Sequence, residues 1–166
     1  MSDHKFEKIL VCDDDNQFRG SIYKILEKEG YDVAEASVGK QAVEMSKNTN
    51  FDIIIMDIRM PDMDGIDTLR QIKEIQGNRP CAIIIVTGYA SEYSSIEALK
   101  LGASDYLIKP FEMSDFMNSL NKNIKYITVL KDREYFYRRM LEKSEQLKLS
   151  EKELNELKKR LTEHDI

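Results

Sequence analysis

Five short apolar runs punctuate the first two thirds of the chain, and between them apolar positions recur every three or four residues. The runs are Lys8 to Cys12 (KILVC), Asp32 to Ala36, Ile53 to Met56 (IIIM), Ala82 to Val86 (AIIIV) and Tyr106 to Ile108. Each is too short for a helix with a polar face, and the central ones are rich in β-branched residues, so they predict strands, the third and fourth buried on both faces. Helical spacing fills the intervals. It predicts helices over Asn16 to Glu29 with Phe18, Ile22, Ile25 and Leu26 inward, and over Val38 to Asn48 with Ala42, Val43 and Met45 inward. Two more cover Ile66 to Ile75, with Ile66, Leu69, Ile72 and Ile75 on one face, and Glu92 to Leu101. Gly30, Gly77-Asn78 and Gly102 supply stops, Asp15 or Asn16 caps the first helix, and Gly20 inside it is unfavourable by ~1 kcal/mol relative to Ala. Strands alternating with helices in five successive units predict an α/β fold, a parallel sheet covered by helices on both faces.

Beyond Phe111 the pattern changes, because no strand signal, proline or glycine appears through Ile166. A helix from about Ser114 to Thr162 would run ~70 Å, too long to fold back on the domain alone. Leu147, Leu154 and Leu161 recur every seven residues, with Leu157 at a second seam position and Lys143 and Ser150 as polar intrusions. Ile127, Leu130, Tyr137 and Leu141 fit a heptad shifted by one. The pattern predicts an imperfect parallel coiled coil, a homodimer, with a register change near Leu141; the competing reading is a single solvated helix. The expected division is a folded domain at 1–122 and a helical tail at 123–166 that continues the fifth helix.

Composition narrows the class. A net charge of -5 over 166 residues argues against a general nucleic-acid binder and favours a site that attracts a cation. Acidic and basic residues are balanced in the tail, where a DNA-binding helix would be lopsided, so no direct DNA contact is expected. No apolar run reaches membrane-spanning length and the N-terminus lacks a signal peptide's apolar segment, which makes the cytoplasm the expected location. Cys12 and Cys81 lie in or beside strands and read as small buried hydrophobes, and His164 as a surface residue.

The chemistry gathers at strand ends. Asp13, Asp14 and Asp15 follow the first strand, Asp57 the third, Thr87 the fourth and Lys109-Pro110 the fifth. Right-handed crossovers put all those ends on one edge of the sheet, so these residues converge on a single crevice. Carboxylates held together need compensation, and a divalent oxygen-loving cation, Mg²⁺ or Mn²⁺, is the natural occupant. With Lys109 as a fixed positive charge, a hydroxyl from Thr87 and Asp57 as a carboxylate nucleophile, the parts suit phosphoryl transfer to an aspartate. No base positioned for water is evident. Pro61 and Asp64-Gly65 mark a loop after Asp57.

In this arrangement the sequence resembles the receiver domain of two-component response regulators over about Lys5 to Leu120. The resemblance rests on Asp13-Asp14, on Asp57 with Met60-Pro61 and Asp64-Gly65 behind it, on Thr87, and on Lys109-Pro110. It implies a flavodoxin-like sheet in the order 2-1-3-4-5. It further implies that Asp57 accepts a phosphoryl group from a sensor histidine kinase or phosphotransfer protein. Asp14, Asp57 and the backbone carbonyl of Arg59 would bind Mg²⁺, with Asp13 holding metal-bound water. Lys109 would contact the phosphoryl group, Thr87 would swing toward it, and Tyr106 would turn inward as an aromatic switch. The Lys109-Pro110 bond would be cis. Arg59 and Tyr89, each two residues past a site residue, flank the path of attacking water and are expected to prolong the phosphorylated state. The protein is thus expected to be a phosphoacceptor with slow autodephosphorylation and not an enzyme acting on an external substrate.

Other readings fit less well. Aspartyl-phosphate phosphatases carry DxDxT, whereas Arg59 stands two past Asp57. A calcium loop at Asp62 and Asp64 fails because Met60 and Gln71 fall at ligand positions. A receiver used only for docking or dimerisation, without phosphorylation, is the alternative that keeps the fold. Output is expected either from the coil itself or from a domain beyond Ile166.

Overall fold

The computed structural model describes residues 7–77, 79–89 and 92–163, without the side chains of 92–94, 162 and 163. The expected helix stop at Asn78 and the surface assignment of His164 lie outside the described residues. In chain order the elements are β1 (Lys8–Cys12), α1 (Asn16–Lys28), β2 (Asp32–Ala36), α2 (Gly39–Asn48), β3 (Ile53–Met56), α3 (Gly65–Gln76), β4 (Ala82–Thr87), α4 (Glu92–Lys100), β5 (Asp105–Ile108) and α5 (Met113–Glu163). The five strands form one sheet in the order β2-β1-β3-β4-β5, every neighbouring pair parallel. This is the flavodoxin-like order.

Register and burial follow from the apolar runs. Ile9 pairs with Ile53 and Cys12 with Met56, while Ile53 pairs with Ala82 and Met56 with Ile85. Every residue of β3 and β4 is buried, as continuous apolar strands require. Side chains alternate across the sheet. One face carries Leu10, Cys12, Ile54, Met56, Ile83 and Ile85 into a core with Ala42 and Val43 of α2, Ile66, Leu69 and Ile72 of α3, and Ala98 of α4. The residues between them point to the opposite face, against which α1 packs; Ile22 and Leu26 of α1 are buried, as are Phe116 and Leu120 at the start of α5. The edge strands β2 and β5 are only partly covered.

Where the elements differ from the sequence reading, local chemistry explains it. The α3 helix begins at Gly65, one residue early, because the Asp64 carboxylate accepts from the Ile66 N–H at 2.7 Å and so caps it. Met45 is only half-buried; Ser46 takes the inward place beside it, its hydroxyl donating to the Ala42 carbonyl. Phe18 and Ile25 are likewise half-buried. Gly65 is needed for space: a Cβ there would lie 2.4 Å from the Cα of Ile58 and 2.7 Å from the Asp57 carbonyl oxygen. That close approach, closed by a 2.7 Å bond from the Gly65 N–H to the Ile58 carbonyl, folds the loop after β3 back on itself.

The chain divides into two compact units, residues 1–127 and 128–166. The first contains the sheet and ends with the buried residues Asn123 and Ile127. The second is helical over its described residues, and Phe136, Met140, Leu147, Leu154, Leu157 and Leu161 are all exposed. Among the described residues no helix is long and apolar enough to cross a membrane.

Candidate functional site

The carboxyl ends of β1, β3, β4 and β5 deliver Asp13, Asp57, Thr87 and Lys109 to one edge of the sheet. Each is placed by backbone pairing: the Asp57 N–H donates to the Cys12 carbonyl, and the Lys109 N–H donates to the Thr87 carbonyl at 2.8 Å. Asp13, Asp14 and Asp57 each present a carboxylate oxygen within 4.8 Å of the others. Asp13 and Asp57 are buried and Asp14 is exposed. The Lys109 ammonium closes the group, 2.5 Å from Asp13 Oδ2 and 3.4 Å from Asp57 Oδ2. All four predicted positions are therefore neighbours in space.

Burial and hydrogen bonds set the charge balance. Asp13 is pushed above the ordinary carboxylate range chiefly by burial, and this is opposed by its bonds from Lys109 and from the Asp15 N–H. Breaking a buried pair of this kind is strongly unfavourable, since it strands an uncompensated charge. One lysine facing two buried carboxylates and a third at the rim leaves net negative charge concentrated in hard oxygen donors. Such a donor set fits a divalent cation held by carboxylates, water and a phosphate.

Asp57 Oδ1 accepts from the Arg59 N–H at 3.0 Å, which leaves Oδ2 toward Lys109. The Arg59 guanidinium carbon lies 3.1 Å from the centre of the Tyr89 ring, a cation–π stack. Thr87 is fully buried, and its hydroxyl oxygen accepts from the Tyr89 N–H at 3.2 Å. Tyr106 is partly buried against the core, and its hydroxyl has no hydrogen-bond partner among the described residues. Lys109-Pro110 is cis.

Three contributors were not visible in the sequence reading. Asp62, in the loop after β3, accepts from the N–H groups of Gly39 and Lys40 at 2.9 Å each, capping α2 from a distant segment. A signal existed, since Val38 at the α2 N-cap offers no side-chain bond of its own. Arg19 donates to the Asp13 carbonyl at 2.6 Å and to Glu35 at 3.1 Å, bracing the end of β1. Phe18, read only as a core residue, lies under the Lys109 ammonium, 3.8 Å from ring centre to nitrogen.

Comparison with known proteins shows the family. The family model described as the response regulator receiver domain matches residues 9–121. The chemotaxis protein CheY of Thermotoga maritima is 40% identical over 117 residues, covering 70% of this chain and 96% of that protein. The transcriptional regulatory protein ZraR of Escherichia coli O157:H7 is 39% identical over 122 residues; the match covers 74% of this chain, which spans only 27% of that regulator's length. Among solved structures, a response regulator from Burkholderia pseudomallei with a phosphorylated aspartic acid, a calcium ion and citrate superposes with a TM-score of 0.64 at 27% identity, covering 75% of this chain and 72% of that one.

Proposed function

This chain belongs to the response regulator receiver domain family of two-component signalling, and from that premise we propose that Asp57 is its phosphoryl acceptor and Lys109 its phosphoryl-binding cation. One observation carries the proposal: Lys109 stands between the Asp13 and Asp57 carboxylates, within 3.4 Å of both, at the carboxyl edge of the sheet. The donor is a phosphohistidine on a sensor kinase or a phosphotransfer protein, met in the cytoplasm. An Asp57 carboxylate oxygen attacks phosphorus, the P–N bond to the donor imidazole breaks, and the departing nitrogen keeps the electron pair. Asp57 becomes an acyl phosphate.

Asp13, Asp14, Asp57 and the backbone carbonyl of Arg59 would hold the divalent ion, Mg²⁺ or Mn²⁺. When bound, the ion supplies positive charge against the oxygens of the transferring group. The protein's own part is electrostatic and positional: Lys109 faces those oxygens, and the Arg59–Tyr89 stack covers the acceptor and limits approach of water. We read that stack as the reason for a long-lived phosphorylated state.

After transfer, the Thr87 hydroxyl exchanges its bond with the Tyr89 N–H for one to the phosphoryl group. Freed space beside Thr87 then secures Tyr106 in its inward position, where its hydroxyl can find a partner. The change is relayed to α5, and the helical tail, pairing with a second copy of the chain, carries the output or hands it to a further segment. Neither step requires the chain to touch DNA. A docking module without phosphorylation has no use for the lysine held between carboxylates.

The test is intact mass after incubation with acetyl phosphate and Mg²⁺. The unaltered protein should gain one phosphoryl group, and Asp57→Asn should gain none while keeping the circular dichroism of the folded chain. Equal uptake by Asp57→Asn would remove Asp57 as acceptor.

A further inference from the structure

The structure assigns the tail one heptad register and one occupant: residues 129–161 form a parallel two-stranded coiled coil with a second copy of this chain, without a register change. This rests on the coiled-coil reading above and replaces its shifted first half. The shifted heptad begins with Ile127, and that side chain is 1% exposed, in the core of the first unit. It is spent inside the domain and unavailable to a partner. Leu130, next in the same series, is half-covered.

Among the exposed apolar residues one seam follows the other register from end to end, while Tyr137 and Leu141, also exposed, fall beside it at e and b. Placing Leu147, Leu154 and Leu161 at heptad position a puts Met140 at the preceding a. The same frame puts Leu157, Phe136 and Val129 at d. All seven side chains are more than half exposed, from 51% at Leu154 to 71% at Met140. They belong to a single helix that runs without interruption to Glu163. Such a 3.5-residue seam is the pattern that a second helix of the same sequence buries by knobs-into-holes packing.

Charge argues for a copy of this chain in parallel. In that arrangement a g residue meets the e residue five positions on in the partner, so Glu153 faces Lys158 and the interaction is attractive. Gln146 faces Glu151, Arg139 faces Ser144 and Asp132 faces Tyr137, so no like charges oppose one another across these flanking g and e positions. Arg133 at a, Lys143 at d and Ser150 at d weaken the seam. The Arg133 and Lys143 stems can pack while their charged ends reach solvent, and polar residues at inner positions favour two strands over three or four. A coil weakened in this way suits an assembly that a switch can open or close.

Variants of the full chain with one added cysteine distinguish the possibilities, because the native Cys12 and Cys81 are buried. Met140→Cys, Leu147→Cys and Leu154→Cys are each oxidised, with and without Mg²⁺ and beryllofluoride, and run on a non-reducing gel beside Leu141→Cys. The expected result is a cross-linked dimer from each of the first three and little from Leu141→Cys. Strong cross-linking through Leu141 and weak through Met140 would overturn the single register while leaving the coil intact. Cross-linking at only one of the three positions would indicate antiparallel pairing and contradict the proposal. Monomeric sedimentation of the unaltered chain under both conditions, with no cross-linking anywhere, would sink both the register and the coiled coil.

Discussion

The Lys109 ammonium sits 3.8 Å from the centre of the Phe18 ring while also bridging Asp13 and Asp57. A side chain from α1 therefore helps to aim the cation that the proposed chemistry needs. Phe18 in turn meets Phe111 edge-on, with centroids 6.1 Å apart, and Phe111 stacks on the fully buried Phe116 at the root of α5. Replacing the ring with Leu keeps the apolar bulk and removes the quadrupole. Phe18→Leu should slow phosphorylation by acetyl phosphate roughly fivefold, the equivalent of about 1 kcal/mol of cation–π attraction. Phe18→Tyr should restore it, and equal rates in all three proteins would show that the ring serves packing alone.

The Arg59–Tyr89 stack makes a second prediction. Loss of the phosphoryl group, followed by mass after removing the donor, should be several-fold faster in Arg59→Ala and in Tyr89→Ala than in the unaltered protein. If the two side chains act as one cover, the double variant should be little faster than either single one. Unchanged decay in both singles would leave the stack without a protective role.

Much of this site could be read from the chain, and the reason is periodicity. Alternating strands and helices fix which residues end strands, and parallel crossovers then collect Asp13, Asp57, Thr87 and Lys109 from four distant places. What could not be read depends on packing between segments remote in sequence. Asp62 caps α2 across more than twenty residues, and Phe18 looked like any inward helix position until the ring was seen beneath Lys109. The tail shows the same limit, since two heptad registers were both legible in its sequence. Only the burial of Ile127 separates them.

Gly65 offers a stability test. A methyl group there meets the backbone of Ile58 at 2.4 Å, and backbone cannot yield as a flexible side chain can. Gly65→Ala should destabilise the domain by ~2 kcal/mol or more, lowering its melting temperature by roughly 8 °C or more. By contrast, at Gly20 an added Cβ meets nothing within 4 Å, and Gly20→Ala should raise stability by about 1 kcal/mol through helix propensity. Thermal melts of both variants check the contrast.

The buried thiols give a pH dependence. Burial, with the nearby Asp13 charge second, pushes Cys12 from 9.0 up to about 12, and burial pushes Cys81 from 9.0 up to about 11. The folded chain thus holds these protons more tightly than the unfolded chain. Their contribution is complete below pH 9.0 and is lost as pH rises from there through about 11 and 12. Denaturant melts should show stability falling by roughly 2 kcal/mol per pH unit above that point. At neutral pH a disulfide reagent should react with both thiols only after unfolding.

Mapping the modified residue bears most directly on the account as a whole. After acetyl phosphate and Mg²⁺, borohydride reduction of the acyl phosphate followed by peptide sequencing should place the change at Asp57 alone, and omission of the metal should suppress it. Reduction at Asp13 or Asp14, or no modified peptide at all from the folded protein, would contradict an acceptor site built from Asp57 and Lys109.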